Sequence, residues 1–276
     1  MKLIQQSAEI WQQPEGEIGI YRQVEKAARL CYKSEDKITD DSYKKFIEMI
    51  SSKHHYSPFE HGTVYLAVTD KDPIAYRCAV DAYLENPFSK VILGAQGSTP
   101  TAFITTNYRV LKENQWEKDL QYLCAPTEYH IKRISVHIVT NRAISHELVR
   151  HRVFSFCQES QRYCNYSKEK FGDEITVITP NWLDTSKPIA KLEWNEAMMN
   201  AEASYILLLQ EGLKPQEARE VLPNSTKTEL IMTGFEDDWE QFFKLRCSSA
   251  AHPMMQELAN EIRDKIRIYK EHNYDN

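Results

Sequence analysis

The pattern of apolar and polar residues along this chain alternates between a period of two and a period of three to four. Residues 60–69 carry Val64, Leu66 and Val68 at alternate positions, and residues 133–138 repeat this alternation. Such alternation is typical of strands that are buried on one face. Shorter strands are predicted at residues 2–6, 175–179 and 228–233.

Helical spacing is clearest in residues 192–210. The predicted inward stripe of this helix is Trp194, Met198, Ala201, Tyr205 and Leu208. Gly212 is predicted to end it, because glycine readily adopts the left-handed conformation found at helix C-termini. Further helices are predicted at residues 21–32, from Asp41 or Ser42 onward, at 143–151, after Pro215, at 238–246 and at 254–269. Interspersed strands and helices predict an α/β (α+β) protein.

Residues 71–131 give a weaker pattern. Residues 75–84 predict a helix, and residues 101–109 predict the start of a strand. Residues 94–100 (G-A-Q-G-S-T-P) are rich in turn formers and predict a loop. A further helix is predicted at residues 116–123.

Composition is that of an ordinary globular protein. The 276 residues are 42% hydrophobic and 27% charged, with a formal net charge of −6. No apolar run approaches the ~20 residues that span a bilayer, and residues 1–6 lack a signal-peptide core, so we expect a cytoplasmic protein with no membrane partner. The acidic balance disfavours nucleic-acid binding, which needs a broad basic face. The six cysteines form no C-x-x-C pair, so free thiols and no metal site are expected.

Basic residues are nevertheless concentrated in residues 147–163. This segment contains Arg150, His151, Arg152 and Arg162, against the acids Glu147 and Glu159. Arginine presents a fixed fork of donors that matches phosphate and carboxylate groups. Thr140-Asn141 offers N-cap chemistry to the helix before this segment, and the helix C-terminus favours positive charge. The segment therefore predicts a rigidly held site for a phosphorylated small molecule.

Four ordered blocks of the sequence resemble the flavin-dependent thymidylate synthases. Arg150-His151-Arg152, followed by seven residues and then Ser160, resembles the R-H-R signature of that family. The other blocks are residues 55–61 (H-Y-S-P-F-E-H), 218–223 (A-R-E-V-L-P) and 242–253 (F-F-K-L-R, then A-H-P). Their common order over most of the chain argues against a chance match.

The resemblance implies a mixed sheet packed with long helices, and a homotetramer whose active sites lie between subunits. It implies reductive methylation of dUMP to dTMP, with 5,10-methylenetetrahydrofolate as the carbon donor. FAD would be the cofactor, and its reduced form, generated with NADPH, would be the hydride source. These ligands are anions with planar rings, so cationic clamps and stacking surfaces are what a protein must supply.

The resemblance places dUMP against the loop that follows the R-H-R motif and against two later arginines. The predicted dUMP ligands are Glu147, Arg150, Gln158, Glu159, Ser160, Gln161, Arg162, Arg219 and Arg246. By resemblance Arg246 binds the uracil ring and favours ionised N3, so it is the predicted catalytic residue. Ser160 lies in no G-x-S-x-G elbow and is interpreted as a phosphate donor. The alternatives are a helix C-terminal cation for Arg246 and a surface arginine for Arg219.

The predicted FAD ligands come from both halves of the chain. They are His55, Ser57, Glu60, Arg150, His151, Arg152, Gln158, Gln241 and His252. By resemblance the first three reach a neighbouring subunit's site, although S-P-F-E-H is also typical of a turn before a strand. His61 is expected to be structural, and His252 has a second interpretation as an ordinary residue before a helix. The resemblance assigns no catalytic cysteine.

Three positions depart from the family pattern. Glu147 stands where the family commonly has a glutamine that contacts dUMP, and an anion there repels phosphate unless an arginine offsets it. Phe235-Glu236-Asp237 replaces a flavin-binding N-x-R, and Gln241 replaces an asparagine. The adenine end of FAD is therefore expected to be held differently.

Residues 62–149 separate His61 from Arg150, whereas the P-F-E-H strand of the family usually leads directly to the R-H-R helix. Part of residues 71–131 is therefore predicted to be an insertion in a single domain, residues 1–276. Two other functions remain open. One is a histidine-type phosphohydrolase, whose R-H-G lies near the N-terminus, and the other is a non-catalytic nucleotide-binding protein.

Overall fold

The computed structural model describes residues 1–70, 73–162, 164–167, 172 and 174–273. The strands are β1 (Lys2–Ile4), β2 (Ser7–Ile10), β3 (Thr63–Thr69), β4 (Lys90–Gln96), β5 (Thr99–Asn107), β6 (Arg133–Asn141), β7 (Ser155–Gln158), β8 (Thr176–Ile178) and β9 (Lys227–Phe235). The helices are α1 (Gly16–Tyr32), α2 (Ser42–Ser52), α3 (Pro73–Glu85), α4 (Tyr108–Asn114), α5 (Arg142–Leu148), α6 (Pro188–Gln210), α7 (Pro215–Ala218), α8 (Glu236–Arg246) and α9 (Pro253–Asn273).

The strands form three small sheets, so the α/β class is confirmed but the single mixed sheet is wrong. One sheet has the order β2-β6-β9-β7 and another the order β3-β5-β4, and both are antiparallel throughout. Among the described strands, only β1 and β8 pair in parallel, as a two-stranded sheet. The strands divide into separate sheets because β3 pairs with β5, which lies in the weakly patterned segment 71–131, and not with β6.

The loop predicted at residues 94–100 is also wrong. These residues end β4 and begin β5, and only Gly97-Ser98 forms the turn between them, with Gly97 at φ +64°. The predicted helix at 75–84 and strand at 101–109 are confirmed as α3 and β5. The helix predicted at 116–123 is a 3-10 turn, Glu117–Tyr122.

The four-stranded sheet packs one apolar face against α8 and α9. This face contributes Ile134, Val136, Ile138, Leu230 and Met232, and the helices contribute Trp239, Phe242, Met255, Leu258 and Ile262. The opposite face is more polar, and Ser135 and Thr233 hydrogen-bond there through their hydroxyls at 2.7 Å. His61 lies on that face, with Nδ1 2.8 Å from Thr233 Oγ1. The apolar core therefore lies on one face of the four-stranded sheet, and the 3-10 turn Ser57–His61 packs against the other face.

Helix α6 has two different faces. Met198 and Tyr205 of the predicted inward stripe are buried, and Trp194 and Leu208 are partly buried beside them. A second stripe is exposed and consists of Ile189 (74%), Leu192 (56%), Met199 (56%) and Leu207 (56%). Their spacing places these four side chains on one side of the helix, so this surface is apolar but uncovered.

The remaining boundaries differ from the predicted ones by up to five residues, since α1 begins at Gly16 and not at residue 21. Helix α5 ends at Leu148, so the R-H-R segment forms the turn after the helix and not its last residues. Helix α9 extends to Asn273. The sequence also predicts a frayed tail at residues 272–276; residues 272 and 273 belong to the helix, and residues 274–276 lie outside the described residues. Among the residues described, no helix combines the length and apolarity needed to cross a bilayer.

Candidate active site

The R-H-R segment connects the end of α5 to the start of β7. Asn141 caps α5 as predicted, because its Oδ1 accepts a hydrogen bond from the backbone N of Ile144 at 2.8 Å. The turn that follows is anchored by Phe154, whose ring lies on Gly234 of β9 so closely that a Cβ there would come within 2.4 Å. Buried Leu148 and Phe154 thus flank the exposed Arg150 and Arg152.

Arg246, at the end of α8, contacts this segment directly. Its Nε donates to His151 Nε2 at 2.9 Å, its Nη1 donates to Glu147 Oε2 at 2.8 Å, and its Nη2 donates to the Glu147 carbonyl at 3.3 Å. We call Arg246, Glu147 and His151 the Arg246 cluster. The structure therefore brings Arg246 to two predicted site residues that precede it by 95 and 99 positions in sequence.

The Arg246 cluster fixes the protonation of His151. Burial, with the Arg246 charge adding to it, lowers the pKa of His151 to about 4. The imidazole is therefore neutral at neutral pH, and since Nε2 accepts from Arg246, the proton resides on Nδ1. Phe242 supports the ring edge-on at 5.0 Å. A neutral His151 thus orients the Arg246 guanidinium without repelling it.

Glu147 has an arginine partner, which an anion at this position needs if it is not to repel phosphate. Its carboxylate is offset by Arg246, so the anion does not stand alone in a cationic site. A guanidinium has five N–H donors, and three of them are engaged in the Arg246 cluster. The remaining donors of Arg246 are available for a ligand.

Arg150 and Arg152 are exposed and differ from Arg246 in their contacts. Within the described ranges, no hydrogen bond or ion pair engages either guanidinium. Two neighbouring forks of donors that lack carboxylate partners fit a diphosphate or another polyanion. They are the part of the site with surplus positive charge.

The loop after β7 is held from two sides. Gln158 Nε2 donates to Ser145 Oγ and to Thr228 Oγ1, both at 3.0 Å. The backbone N of Ser160 donates to the Cys31 carbonyl at 3.0 Å. Gln161 Nε2 is buried without a hydrogen-bond partner in the described part of the chain. Arg162 is exposed, and Tyr163, the last residue of the basic segment, lies outside the described residues.

Glu159 differs from its neighbours because its side chain is directed inward. It is 2% exposed. Its Oε1 accepts from the Tyr166 hydroxyl at 3.1 Å, and its Oε2 accepts from Lys227 Nζ at 2.9 Å. Both carboxylate oxygens are therefore engaged inside the protein.

Two arginines lie near this loop, and only one was among the predicted ligands. Arg219 follows α7, with Nε 3.7 Å from a Glu220 carboxylate oxygen. Arg142, the first residue of α5, is half-buried, and burial lowers its pKa, with the Arg219 charge contributing. Its Nη2 lies 3.3 Å from His146 Nε2. Arg142 precedes the motif by two helical turns, and that spacing was the only sequence signal for it.

The predicted ligands of the 3-10 turn lie apart from the Arg246 cluster. His55 is exposed, with Nδ1 3.4 Å from the Tyr32 hydroxyl. Glu60 pairs with Arg109 Nη1 at 2.5 Å, and Arg109 also pairs with Glu113. Ser57 lies in the same turn. Among the described residues, no hydrogen bond or ion pair joins this turn to the Arg246 cluster.

The remaining predicted FAD ligands have mainly local contacts. His252 Nδ1 accepts from the Met254 backbone N at 3.2 Å, so it caps α9 as the simpler interpretation required. Gln241 is exposed on α8.

The segment that departs from N-x-R begins α8. Phe235 N donates to Asp238 Oδ2 at 3.1 Å, which caps the helix. Arg133 and Lys90 lie 5.5 and 5.6 Å from the centre of the Phe235 ring. One cation from β6 and one from β4 therefore lie near the Phe235 ring, although the segment 235–237 itself contains no arginine.

A cavity of about 380 Å³ lies elsewhere, between the residues before α1, the start of β6 and the end of α9. Its polar lining includes Gln13, Tyr65, Lys132 and Arg133, but none of the predicted site residues. The Arg246 cluster lies outside this cavity and is partly exposed, with the side chains of Arg246 and Glu147 21% and 32% exposed.

Comparison with known proteins agrees with the resemblance to the flavin-dependent thymidylate synthases. The family model "Thymidylate synthase complementing protein" (Thy1) matches residues 19–80 and 128–268. The flavin-dependent thymidylate synthase of Geobacter sulfurreducens is 34% identical over 130 residues, which are 47% of this chain and 53% of that relative. The Pyrococcus furiosus enzyme is 28% identical over 200 residues, 67% and 79% of the two chains. The Pyrococcus horikoshii enzyme is 31% identical over 131 residues, 48% and 53%. The chain thus spans about half the length of two of these relatives.

Proposed function

The chain belongs to the thymidylate synthase complementing protein (Thy1) family, and we propose that it is a flavin-dependent thymidylate synthase. The reaction is the reductive methylation of dUMP to dTMP, with 5,10-methylenetetrahydrofolate as the carbon donor and NADPH as the reductant. The observation that carries the proposal is Arg246, held by neutral His151 and Glu147 beside the unengaged Arg150 and Arg152.

The residues present fit FAD. Arg150 and Arg152, whose guanidinium groups have no partner among the described residues, offer two forks of donors for its diphosphate, and His151 fixes the turn between them through Arg246. When bound, the reduced flavin supplies the hydride. Lys90 and Arg133 beside Phe235 are candidates to replace the cation that the N-x-R position lacks.

The residues around the loop after β7 fit dUMP. Arg246 has donors left for the uracil ring, and a fixed cation there stabilises negative charge that develops on the ring. Ser160, Arg162 and Arg219 supply donors for the phosphate, and Arg142 adds a half-buried cation to them. Gln158 is already fixed by Ser145 and Thr228, so it presents a preorganised amide.

Two features support a homotetramer with sites between subunits. The exposed apolar stripe of α6 is a surface that a further copy of the chain can cover. His55, Ser57 and Glu60 form no hydrogen bond or ion pair with the Arg246 cluster in the described residues, and His55 is exposed, which supports a role for them in a neighbouring subunit's site. We also propose that part of residues 71–131 is an insertion, since the family model leaves 81–127 unmatched.

The test is FAD binding by the purified protein. Wild type should show a flavin spectrum, and Arg150→Ala or Arg152→Ala should lower FAD affinity at least about tenfold, because each charged hydrogen bond contributes ~1.5–3 kcal/mol. Arg267→Ala, which removes an exposed arginine from α9, is the matched control and should retain FAD. A colourless wild type that cannot be reconstituted with FAD would contradict the proposal.

A further inference from the structure

A second ion cluster lies behind the loop after β7. Lys227 Nζ lies 2.9 Å from Glu159 Oε2 and also contacts Glu229. Lys33 Nζ lies 2.8 Å from Glu229 Oε1, and His137 Nε2 lies 3.0 Å from Glu229 Oε2. We call Lys227, Glu159, Glu229, Lys33 and His137 the Lys227 cluster. None of its members except Glu159 was a predicted site residue.

The charges of the Lys227 cluster are mutually dependent and largely shielded from solvent, and Glu159 is fully buried among them. The Glu159 side chain is 1% exposed, and those of Lys227 and Glu229 are 15% exposed. Burial alone would raise the pKa of Glu229, but the hydrogen bond from His137 and the charges of Lys227 and Lys33 lower it well below its usual range. Removing Lys227 would leave the buried Glu159 carboxylate without its cation, which is strongly destabilising locally.

The Lys227 cluster is joined to the loop by the backbone as well. The N–H of Glu159 donates to the Glu229 carbonyl at 2.8 Å, and the N–H of Ser160 donates to the Cys31 carbonyl at 3.0 Å. The side chain and backbone of Glu159 are thus fixed to β9, while the next residue is fixed to α1. Gln158, on the other side of Glu159, is held by its own hydrogen bonds to Ser145 and Thr228.

We propose that Lys227 and Glu159 are positioning residues, whose buried ion pair holds residues 158–162 in the conformation that binds the nucleotide phosphate. Glu159 then acts through its neighbours and does not itself contact dUMP. The identity of the nucleotide rests on the proposed function, whereas the anchoring of the loop does not.

The experiment compares Lys227→Met with Lys227→Arg, which keeps the charge. Amide hydrogen exchange of Glu159 and Ser160 reports the loop without requiring activity. In Lys227→Met their protection should fall at least about tenfold and the KM for dUMP should rise about tenfold, while kcat at saturating dUMP changes less than about threefold, because positioning for binding is lost but not the reacting groups. Lys227→Arg should restore most of both losses.

Lys112→Met is the matched control, since it breaks a 2.7 Å pair with Glu117 near the three-stranded sheet. It should change neither exchange at residues 159–160 nor the KM for dUMP. If Lys227→Met does not fold, Glu159→Gln is the second variant, because it retains an acceptor for the Tyr166 hydroxyl and removes only the charge. It should loosen the loop and raise the KM in the same direction.

The outcomes separate the two proposals. Unchanged exchange in folded Lys227→Met or Glu159→Gln overturns the anchoring role, and so does a loosened loop with an unchanged KM for dUMP. A wild type that binds no dUMP overturns the proposed function, while a loosened loop in the same variants still supports the anchor.

Discussion

The two ion clusters at the ends of β7 have opposite characters. The Arg246 cluster precedes the strand, is partly exposed, and lies beside Arg150 and Arg152, which lack partners in the described residues. The Lys227 cluster follows the strand, has side chains that are at most 16% exposed, and pairs its cations with Glu159 and Glu229. Only four residues of strand separate a surface with surplus positive charge from an interior in which charge is compensated.

The difference shows how to distinguish a binding site from a structural charge cluster. A buried charge is tolerated only where a partner compensates its lost hydration, so the Lys227 cluster must be balanced before any ligand arrives. A binding site has to keep donors uncommitted, which is possible only where water can solvate them until a ligand replaces it. Surplus charge together with exposure therefore marks the ligand site.

Removing Arg246 should give the largest effect, because it deletes the centre of the exposed cluster. Arg246→Ala should lower turnover about 10²–10³-fold, the usual cost of losing one preorganised donor. Arg246→Lys should retain FAD but weaken dUMP binding and turnover, because lysine lacks the planar fork. Steady-state kinetics with visible spectra measure both, and Lys244→Ala on the exposed side of α8 is the control. Unchanged kinetics for Arg246→Lys would remove Arg246 from the site.

Subunit mixing tests whether the exposed cluster is completed by another chain. His55→Ala and Arg246→Ala proteins should each be nearly inactive. After subunit exchange, some activity should return, because hybrid assemblies contain sites in which neither residue is missing. Mixing two preparations of the same variant is the control. No recovery after demonstrated exchange would place the whole site within one chain.

As the pH falls, the contribution of the Arg246 cluster to the free energy of unfolding should be lost at a higher pH than the contribution of the Lys227 cluster. The pKa of His151 is about 4 in the folded protein and ~6.5 when unfolded. The unfolded state therefore binds more protons between these values, so this contribution to stability is present above pH ~6.5 and lost as the pH falls towards 4. After discounting for solvent screening we expect about 1 kcal/mol.

Urea unfolding at pH 7 and pH 4.5 measures this difference. His151→Gln retains an acceptor for Arg246 but does not titrate, so it should lose less stability over this range than wild type. Equal losses in the two proteins would show that His151 does not contribute. The Glu229 contribution, whose folded pKa is lowered, should be lost only at more acid pH.

Cys157, within β7, should give the smallest effect. Its thiol is 3% exposed, and the hydrogen bond with Cys31, together with burial, raises its pKa, so it is a poor nucleophile. Cys157→Ala should still make dTMP, at a rate within about threefold of wild type, because no covalent cysteine step is expected. Tetrahydrofolate should accumulate in step with dTMP and only with a flavin reductant, as chromatography can show. Stoichiometric dihydrofolate without a reductant, or loss of chemistry in folded Cys157→Ala, would contradict the flavin mechanism.

The local sequence pattern was sufficient to predict a strand or helix where one face of that element is buried. Alternation correctly predicted β3 and β6, and Asn141 correctly marked the start of α5. The local sequence pattern failed to predict the β4–β5 hairpin, because the glycine, serine, threonine and proline near its turn are equally typical of loops. Periodicity also found the buried stripe of α6 but not its exposed apolar one, because apolar residues on both faces hide which face is covered.

The sequence by itself determined which residues carry the candidate chemistry, because the R-H-R block and the later arginines are recognisable as parts of short sequence motifs. Only the tertiary structure decided which charges remain available. Lys227 and Glu159 are 68 positions apart, and Arg246 and Glu147 are 99 apart, so no local pattern could pair them. Glu159 was a predicted ligand by its place in the motif, yet the fold directs it inward to Lys227. Pairing of this kind depends on burial, which fixes the cost of an uncompensated charge and arises only when distant strands and helices pack together.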